Sequence, residues 1–330
     1  MTPPDRHADL AALTPVVFVL IWSTGFVVAR FGMPHAPPMR FLAWRFALSV
    51  LAFVIWVLLS RAAWPKGRAQ WFHLAVIGTL THAGYLGGVW SAVKLGIGAG
   101  TSALIVGLQP VLTALWVAMM APRAPVAPAP HGGAVALGRP GGGAAGQEHR
   151  VAPLQWLGLG LGLAGLLLVV WNKLGHGEVT PLNLGMCLMA LLAITIGTLY
   201  QKRFVAPCDV RSASAVQLMA AFVVVLPLAL LETEAVQPQP ALLGALAWSV
   251  GVLTLGGSSL LYMMVQRGAA TRVTSLMYLV PPCTALLGWL LFDELLTPLV
   301  LAGLALTALG VGLVVREPLR QDAAKKETST

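Results

Sequence analysis

The sequence predicts an all-α polytopic membrane protein with ten transmembrane helices in two inverted five-helix repeats. Three observations carry that expectation. The chain is 57% hydrophobic and 10% charged over 330 residues, whereas soluble domains are about a quarter charged. Apolar stretches of the roughly 20 residues that cross a bilayer recur along it, separated by short clusters of charge, Gly or Pro. Residues 158–170 (Gly-Leu-Gly-Leu-Gly-Leu-Ala-Gly-Leu-Leu-Leu-Val-Val) overlay residues 303–315 without a gap, with Gly at the first and eighth places of both and Pro153 and Pro298 five residues upstream. A duplicated apolar half is the sequence mark of a two-repeat transporter.

The ten spans are expected at 13–30, 41–60, 71–93, 99–120, 154–172, 183–201, 212–231, 244–266, 273–292 and 298–315. The first is too long for a signal-peptide core and lacks a small-residue cleavage site, so it stays as a helix. Residues 78–84 (Gly-Thr-Leu-Thr-His-Ala-Gly) in the third span match residues 251–257 (Gly-Val-Leu-Thr-Leu-Gly-Gly) in the eighth, and Lys94 then falls on Arg267. Pro110-Val111-Leu112-Thr113-Ala114-Leu115 in the fourth matches Pro281-Pro282-Cys283-Thr284-Ala285-Leu286 in the ninth. The first repeat is therefore 13–172 and the second 183–316, with tails at 1–12 and 317–330. Five helices per repeat is an odd number, so the second repeat enters the membrane from the opposite side.

Between Pro110 and Glu148 lie 38 residues, but only 13 separate Pro281 from Glu294. The surplus of 25 is a Pro-, Gly- and Ala-rich run too poor in large apolar residues to order itself, which predicts a disordered cytoplasmic loop at 121–150.

A net charge of +9 would suggest nucleic acid for a soluble chain; here topology decides its meaning. With the N-terminus cytoplasmic, 16 Lys and Arg lie on the inner side and 5 on the outer, so both termini are expected inside and no nucleic-acid partner is expected. Cys187, Cys208 and Cys283 have no motif spacing, and His131 and His149 in the loop lack further ligands, so neither a disulfide framework, a metal site nor a cofactor is indicated. No Asp or Glu falls inside any span, which argues against a buried carboxylate as ion carrier. No phosphate-cradling Gly-Lys-Ser/Thr occurs, and no clustered acids or nucleophile–base set supports catalysis. An intramembrane lipid-modifying enzyme and a non-transporting scaffold are the competing classes; the first lacks its clusters and the second does not need prolines deep in both repeats.

Those prolines, Pro110, Pro281 and Pro282, interrupt helices near mid-membrane, where freed backbone groups can meet a ligand or simply kink the bundle. Counting from Trp71, His82 lies roughly 16 Å deep in a hydrocarbon core about 30 Å thick. Tyr85 shares its face, and its counterpart in the second repeat is Leu255, so the polar group is retained in one copy alone. His82 either lines a site, where it would be the proton carrier of any proton-coupled transport, or is satisfied by Thr79, Thr81 or a neighbouring helix. Gln109 reaches a similar depth, and Trp22 and Tyr278 could line an aromatic cavity. Arg45 is expected to snorkel to the outer headgroups. Gly158 and Gly162, and Ala308 and Gly312, form small-residue faces suited to packing within the chain or in a homodimer.

In order along the chain, residues 21–26 (Ile-Trp-Ser-Thr-Gly-Phe), Pro37-Pro38, residues 41–46 (Phe-Leu-Ala-Trp-Arg-Phe), and Glu148, Pro153, Gln155-Trp156 and Gly158, echoed as Asp293-Glu294, Pro298 and Gly303, resemble the EamA family of the drug/metabolite transporter superfamily. The likeness covers 13–316 and departs from the family pattern at the inserted loop. It implies two five-helix domains in a bacterial inner membrane that export or exchange small metabolites, amino-acid-related compounds or toxic organics. The partners implied are a small-molecule solute and membrane lipid.

Overall fold

A computed structural model describes residues 6–120, 153–175, 177–260 and 279–327. Among these, every regular element is a helix. The expected loop at 121–150 and Tyr278 lie outside the described residues. Among the described residues five helices are long and apolar enough to cross a membrane, at Pro38–Ser60, Trp156–Leu174, Pro181–Phe204, Val210–Leu231 and Pro240–Leu260; Val16–Gly32, Ala99–Thr113, Val280–Phe292 and Pro298–Leu313 are shorter apolar helices.

Helix α1 (Arg6–Gly32) is followed by α2 (Pro38–Ser60), which opens with Pro in its first turn and ends at Arg61 in a left-handed conformation with φ 51°. A proline there gives up an N–H that has no helical partner anyway. Helix α3 (Arg68–Gly78) runs through a π-helical segment π1 (Thr79–Gly84) into α4 (Tyr85–Lys94). The fourth span is broken at Gly107-Leu108 into α5 (Ala99–Val106) and α6 (Gln109–Met120), and Pro110 falls in the first turn after the break. Helices α7 (Pro153–Gly175) and α8 (Pro181–Phe204) follow, the latter started by a reciprocal cap between Thr180 and Asn183. Asp209 caps α9 (Val210–Leu231) by accepting from Arg211 N–H. Helix α10 (Pro240–Trp248) continues into a second π-helical segment, π2 (Ser249–Gly256). Pro281 and Pro282 open α11 (Val280–Phe292), and α12 (Pro298–Glu327) closes the chain. The expected C-terminal tail is thus helical as far as Glu327, because its Arg, Gln, Ala, Lys and Glu are good helix formers.

The principal helix contacts join the first half of the sequence to the second: α7 with α12, α2 with α9, α4 with α8, α3 with α9 and α5 with α11. Two of these pairs, α2–α9 and α7–α12, unite a helix with its sequence counterpart, and α5–α11 joins the fourth span to the ninth. Segment π1 packs on α8 and α9, and π2 on their counterparts α1 and α2.

Close approach in the α7–α12 pair depends on glycine. A Cβ on Gly310 would meet Gly158 O and Gly162 N at 2.4 Å, and one on Gly165 would meet Gly303 O at 2.5 Å. The α12 face is therefore Gly303, Thr307 and Gly310, with Thr307 Oγ1 donating to Gly162 O, rather than the expected Ala308 and Gly312; Gly312 has nothing nearby. These small residues pack within the chain. Large apolar side chains such as Leu59, Trp171, Leu230 and Leu231 remain on the exterior, as a hydrocarbon surrounding permits.

One end of the bundle is laced together by acids of the second half. Glu232 accepts from the N–H groups of Met39 and Arg40, and Arg40 donates to carbonyls of Ala229, Glu232 and Glu234. Lys94 bridges Glu234 and Met33 O. Glu178 accepts from Gly98 N–H and the Thr101 hydroxyl and pairs with the buried Lys173, while Glu294 accepts from Ala99 and Gly100 N–H. Acids at a helix N-terminus meet unpaired N–H groups and the positive end of its dipole. At the opposite end Gln70 bonds to Ala206, and Ser212 to Ala63 O.

Candidate functional site

The two π-helical segments occupy the stretches that match between halves, 78–84 and 251–257. A π turn widens the helix by one residue and leaves its ladder uneven; such turns are rare and recur at functional sites. Each segment ends on a glycine, Gly84 or Gly256, and π1 sits near the middle of its span: His82 lies about 21 Å along the helix from Arg68 and about 18 Å from Lys94.

Each π segment makes one polar contact to the other half. His82 of π1 stands beside the Gln217 side chain of α9, within polar reach of it. Arg45 of α2 donates from Nη2 to Thr254 Oγ1 of π2 at 3.2 Å, and Thr254 in turn donates to Ser249 O five residues back, the spacing of a π turn. Arg45 and Gln217 each stand seven residues beyond the first residue of their helices, α2 and α9. Thr254 falls on Thr81 in the match between halves, one residue before His82, so the two contacts lie at neighbouring places, one from an arginine and one from an amide.

Arg45 corrects the snorkelling expectation. It is only 8% exposed, with its guanidinium carbon 5.9 Å from the Trp90 ring centroid, and Trp90 is itself stacked on Phe41 at 4.4 Å. The cation thus points into the bundle about 10 Å along α2. Tyr85 lies within electrostatic reach of Arg45, and so does His82, whose ring also meets Phe46 edge-on at 6.3 Å. Both His82 and Tyr85 are partly accessible although helices surround them. The hydroxyls of Ser49, one turn after Arg45, and of Ser249 are fully buried with no hydrogen-bond partner.

The structure thus brings His82 and Tyr85 together with Arg45, Gln217 and Thr254. Gln109 is engaged with α8, donating from Nε2 to Thr198 Oγ1 at 2.8 Å. Trp22 stacks obliquely on Phe18 and faces Gly257 beyond π2. The break before Pro110 touches the second half directly: a Cβ on Gly107 would lie 2.8 Å from Pro281 Cγ, and these residues line a small crevice with Pro282, Leu104 and Leu304. Sequence reasoning missed Gln217 and Thr254 and set Arg45 aside. The signal was the equal register of Arg45 and Gln217 in matching helices. Among the described residues, no three His, Cys, Asp or Glu gather in a way that could hold a metal ion.

Residues 9–121 and 183–316 match the EamA-like transporter family. The chain is 26% identical over 315 residues to "Uncharacterized inner membrane transporter YedA" of Escherichia coli strain K12, covering 94% of this chain and 92% of that protein; the YedA of Escherichia coli O157:H7 matches equally. A solved structure titled "Crystal structure of protein" shares the fold at a TM-score of 0.59 and 18% identity, covering 93% of this chain and 97% of that one. The chain belongs to the EamA-like transporter family.

Proposed function

We propose that the protein is a secondary transporter of the bacterial inner membrane that exports or exchanges small metabolites, such as amino-acid-related compounds or other organic solutes. Ten helices form two inverted repeats, 13–172 and 183–316, with both termini cytoplasmic, and the solute crosses between them by alternating access. Residues 121–150 form a cytoplasmic loop, and the apolar exterior faces lipid.

The observation that carries this reading is the pair of π segments at matching places, each holding one polar contact to the opposite half. The contacts of α2 with α9 and of α7 with α12, each a helix against its own counterpart, fit a two-fold relation between the repeats. The acid-laced end is then the outer one, closed in this state, and opening it means parting Glu232, Glu234, Glu178 and Glu294 from the first half. His82, Tyr85 and Gln109, with Trp22 and Tyr278, are the proposed solute contacts, and Pro110, Pro281 and Pro282 the interruptions that let the helices flex. The YedA proteins, called inner membrane transporters, support the location.

The test is a panel of small metabolites screened by ligand-induced thermal stabilisation of the purified protein, since binding to the folded state raises apparent stability. Stabilising compounds then enter counterflow assays in proteoliposomes. Counterflow by wild type that changes at least several-fold in His82→Ala supports the reading; stabilising compounds that never exchange across the membrane overturn it.

A further inference from the structure

We infer that the Arg45 junction recognises a carboxylate, so that the solute is an organic anion; this rests on the transporter reading above. A guanidinium carries five N–H donors. Among the described residues Arg45 makes one hydrogen bond, to Thr254, and the Trp90 face covers part of the charge. No acid lies in any membrane span of the sequence, so no carboxylate of the chain stands at that depth to neutralise it. A buried cation is retained in a membrane interior only with a counter-charge or water to meet it. Arg45 is 8% exposed, so meeting a solute requires the junction to open, as alternating access would bring about.

The surroundings suit an anion specifically. Ser49 and Ser249 offer buried, unpartnered hydroxyls from the two elements, α2 and π2, that Arg45 and Thr254 also join. Hydroxyl donors on the elements that carry a guanidinium can complete the shell of a carboxylate, which Arg binds through two parallel N–H bonds. Tyr85 brings a further hydroxyl within electrostatic reach of Arg45. The other junction, Gln217 with His82, is an amide and an imidazole. A solute spanning the two would place its carboxylate on Arg45 and a neutral polar group toward His82. The asymmetry of one arginine against one glutamine at equal register then sets the orientation of the solute.

The experiment uses the purified full-length protein with a matched pair of probes, N-acetyl-leucine and N-acetyl-leucinamide, which differ in carboxylate against neutral amide. Chloride serves as an inorganic arm. N-acetyl-leucine is expected to raise the unfolding temperature in a saturable way, the amide and chloride to leave it unchanged, and Arg45→Gln to abolish the effect while Arg45→Lys retains part of it. In wild type, the same carboxylate is expected to slow modification of Arg45 by phenylglyoxal, read by peptide mass spectrometry, a measurement that does not depend on any variant folding. Equal stabilisation by the amide, equal protection by chloride, or no protection of Arg45 by N-acetyl-leucine overturns the inference. Binding and protection without movement of labelled N-acetyl-leucine in proteoliposomes sinks the transport reading and leaves the anion site standing. Counterflow of neutral solutes with Arg45 unprotected does the reverse.

Discussion

Replacing Gly78 with Ala tests the junction through the backbone alone. A Cβ at Gly78 would stand 2.0 Å from Gln217 O and 2.6 Å from Gln217 C and Cα. All three are main-chain atoms of α9, so no side chain can rotate away. An ordinary contact begins near 3.4 Å, and the methyl must therefore withdraw by about 1.4 Å. Inserting a methyl into a packed contact costs about 1–3 kcal/mol, and the upper end applies where two backbones meet. Because Gly78 lies one turn before His82, the same shift draws His82 from Gln217, so solute transport should fall along with stability. The control is Gly185→Ala in α8, where nothing lies within 4 Å of the added methyl; there Ala should help by up to about 1 kcal/mol through helix propensity. The assay is thermal unfolding in detergent beside solute counterflow in proteoliposomes. Equal unfolding temperatures for the two variants would refute the reasoning.

Gly310→Ala should separate α12 from α7, since the methyl meets two backbone atoms at 2.4 Å; a loss of about 1–3 kcal/mol is expected in the same unfolding assay, and an unchanged midpoint would contradict it. Glu294→Gln removes the charge that accepts from Ala99 and Gly100 at the start of α5, which should cost about 1 kcal/mol and raise cysteine labelling at the buried residue 102 in a Ser102→Cys background; labelling that stays slow would deny its role as a latch. Asp209 is held below the usual carboxylate range by its hydrogen bonds to Arg211, the side chain's foremost. A lowered folded value means its contribution is full above the ordinary value near pH 4 and fades as pH falls through the lowered one. The stability gap between wild type and Asp209→Asn should narrow between neutral pH and about pH 3; a constant gap would show that the charge is idle.

Much of the architecture was legible because the bilayer imposes a simple demand on the sequence. Helices α2, α8 and α9 begin and end within three residues of expectation, since apolar length and flanking Pro, Asp or Arg mark where hydrocarbon stops. The helix break before Pro110 was visible for the same kind of reason, a residue that cannot complete the ladder. The π segments were not visible: a one-residue widening leaves no compositional trace, and only the glycine-flanked match between 78–84 and 251–257 hinted at it. Arg45 misled because a long side chain near a helix end ordinarily reaches for headgroups; here α2 turns that face toward Trp90 and π2, which depends on tertiary packing. The α12 glycine face was misjudged by spacing alone, since Gly303 and Gly310 are seven apart and share a face that Gly312 leaves. Glu294, noted as a repeat marker, turns out to cap a helix of the other half.

The central claim is that two halves of opposite orientation meet at a shared junction. It is tested most directly by fusing a reporter active only in the cytoplasm at residue 95 and, separately, at residue 267, the positions that follow matching stretches of the two repeats. The account predicts activity at 267 and silence at 95. Activity at both, or at neither, would contradict the inverted arrangement and with it the paired junction on which the transport proposal rests.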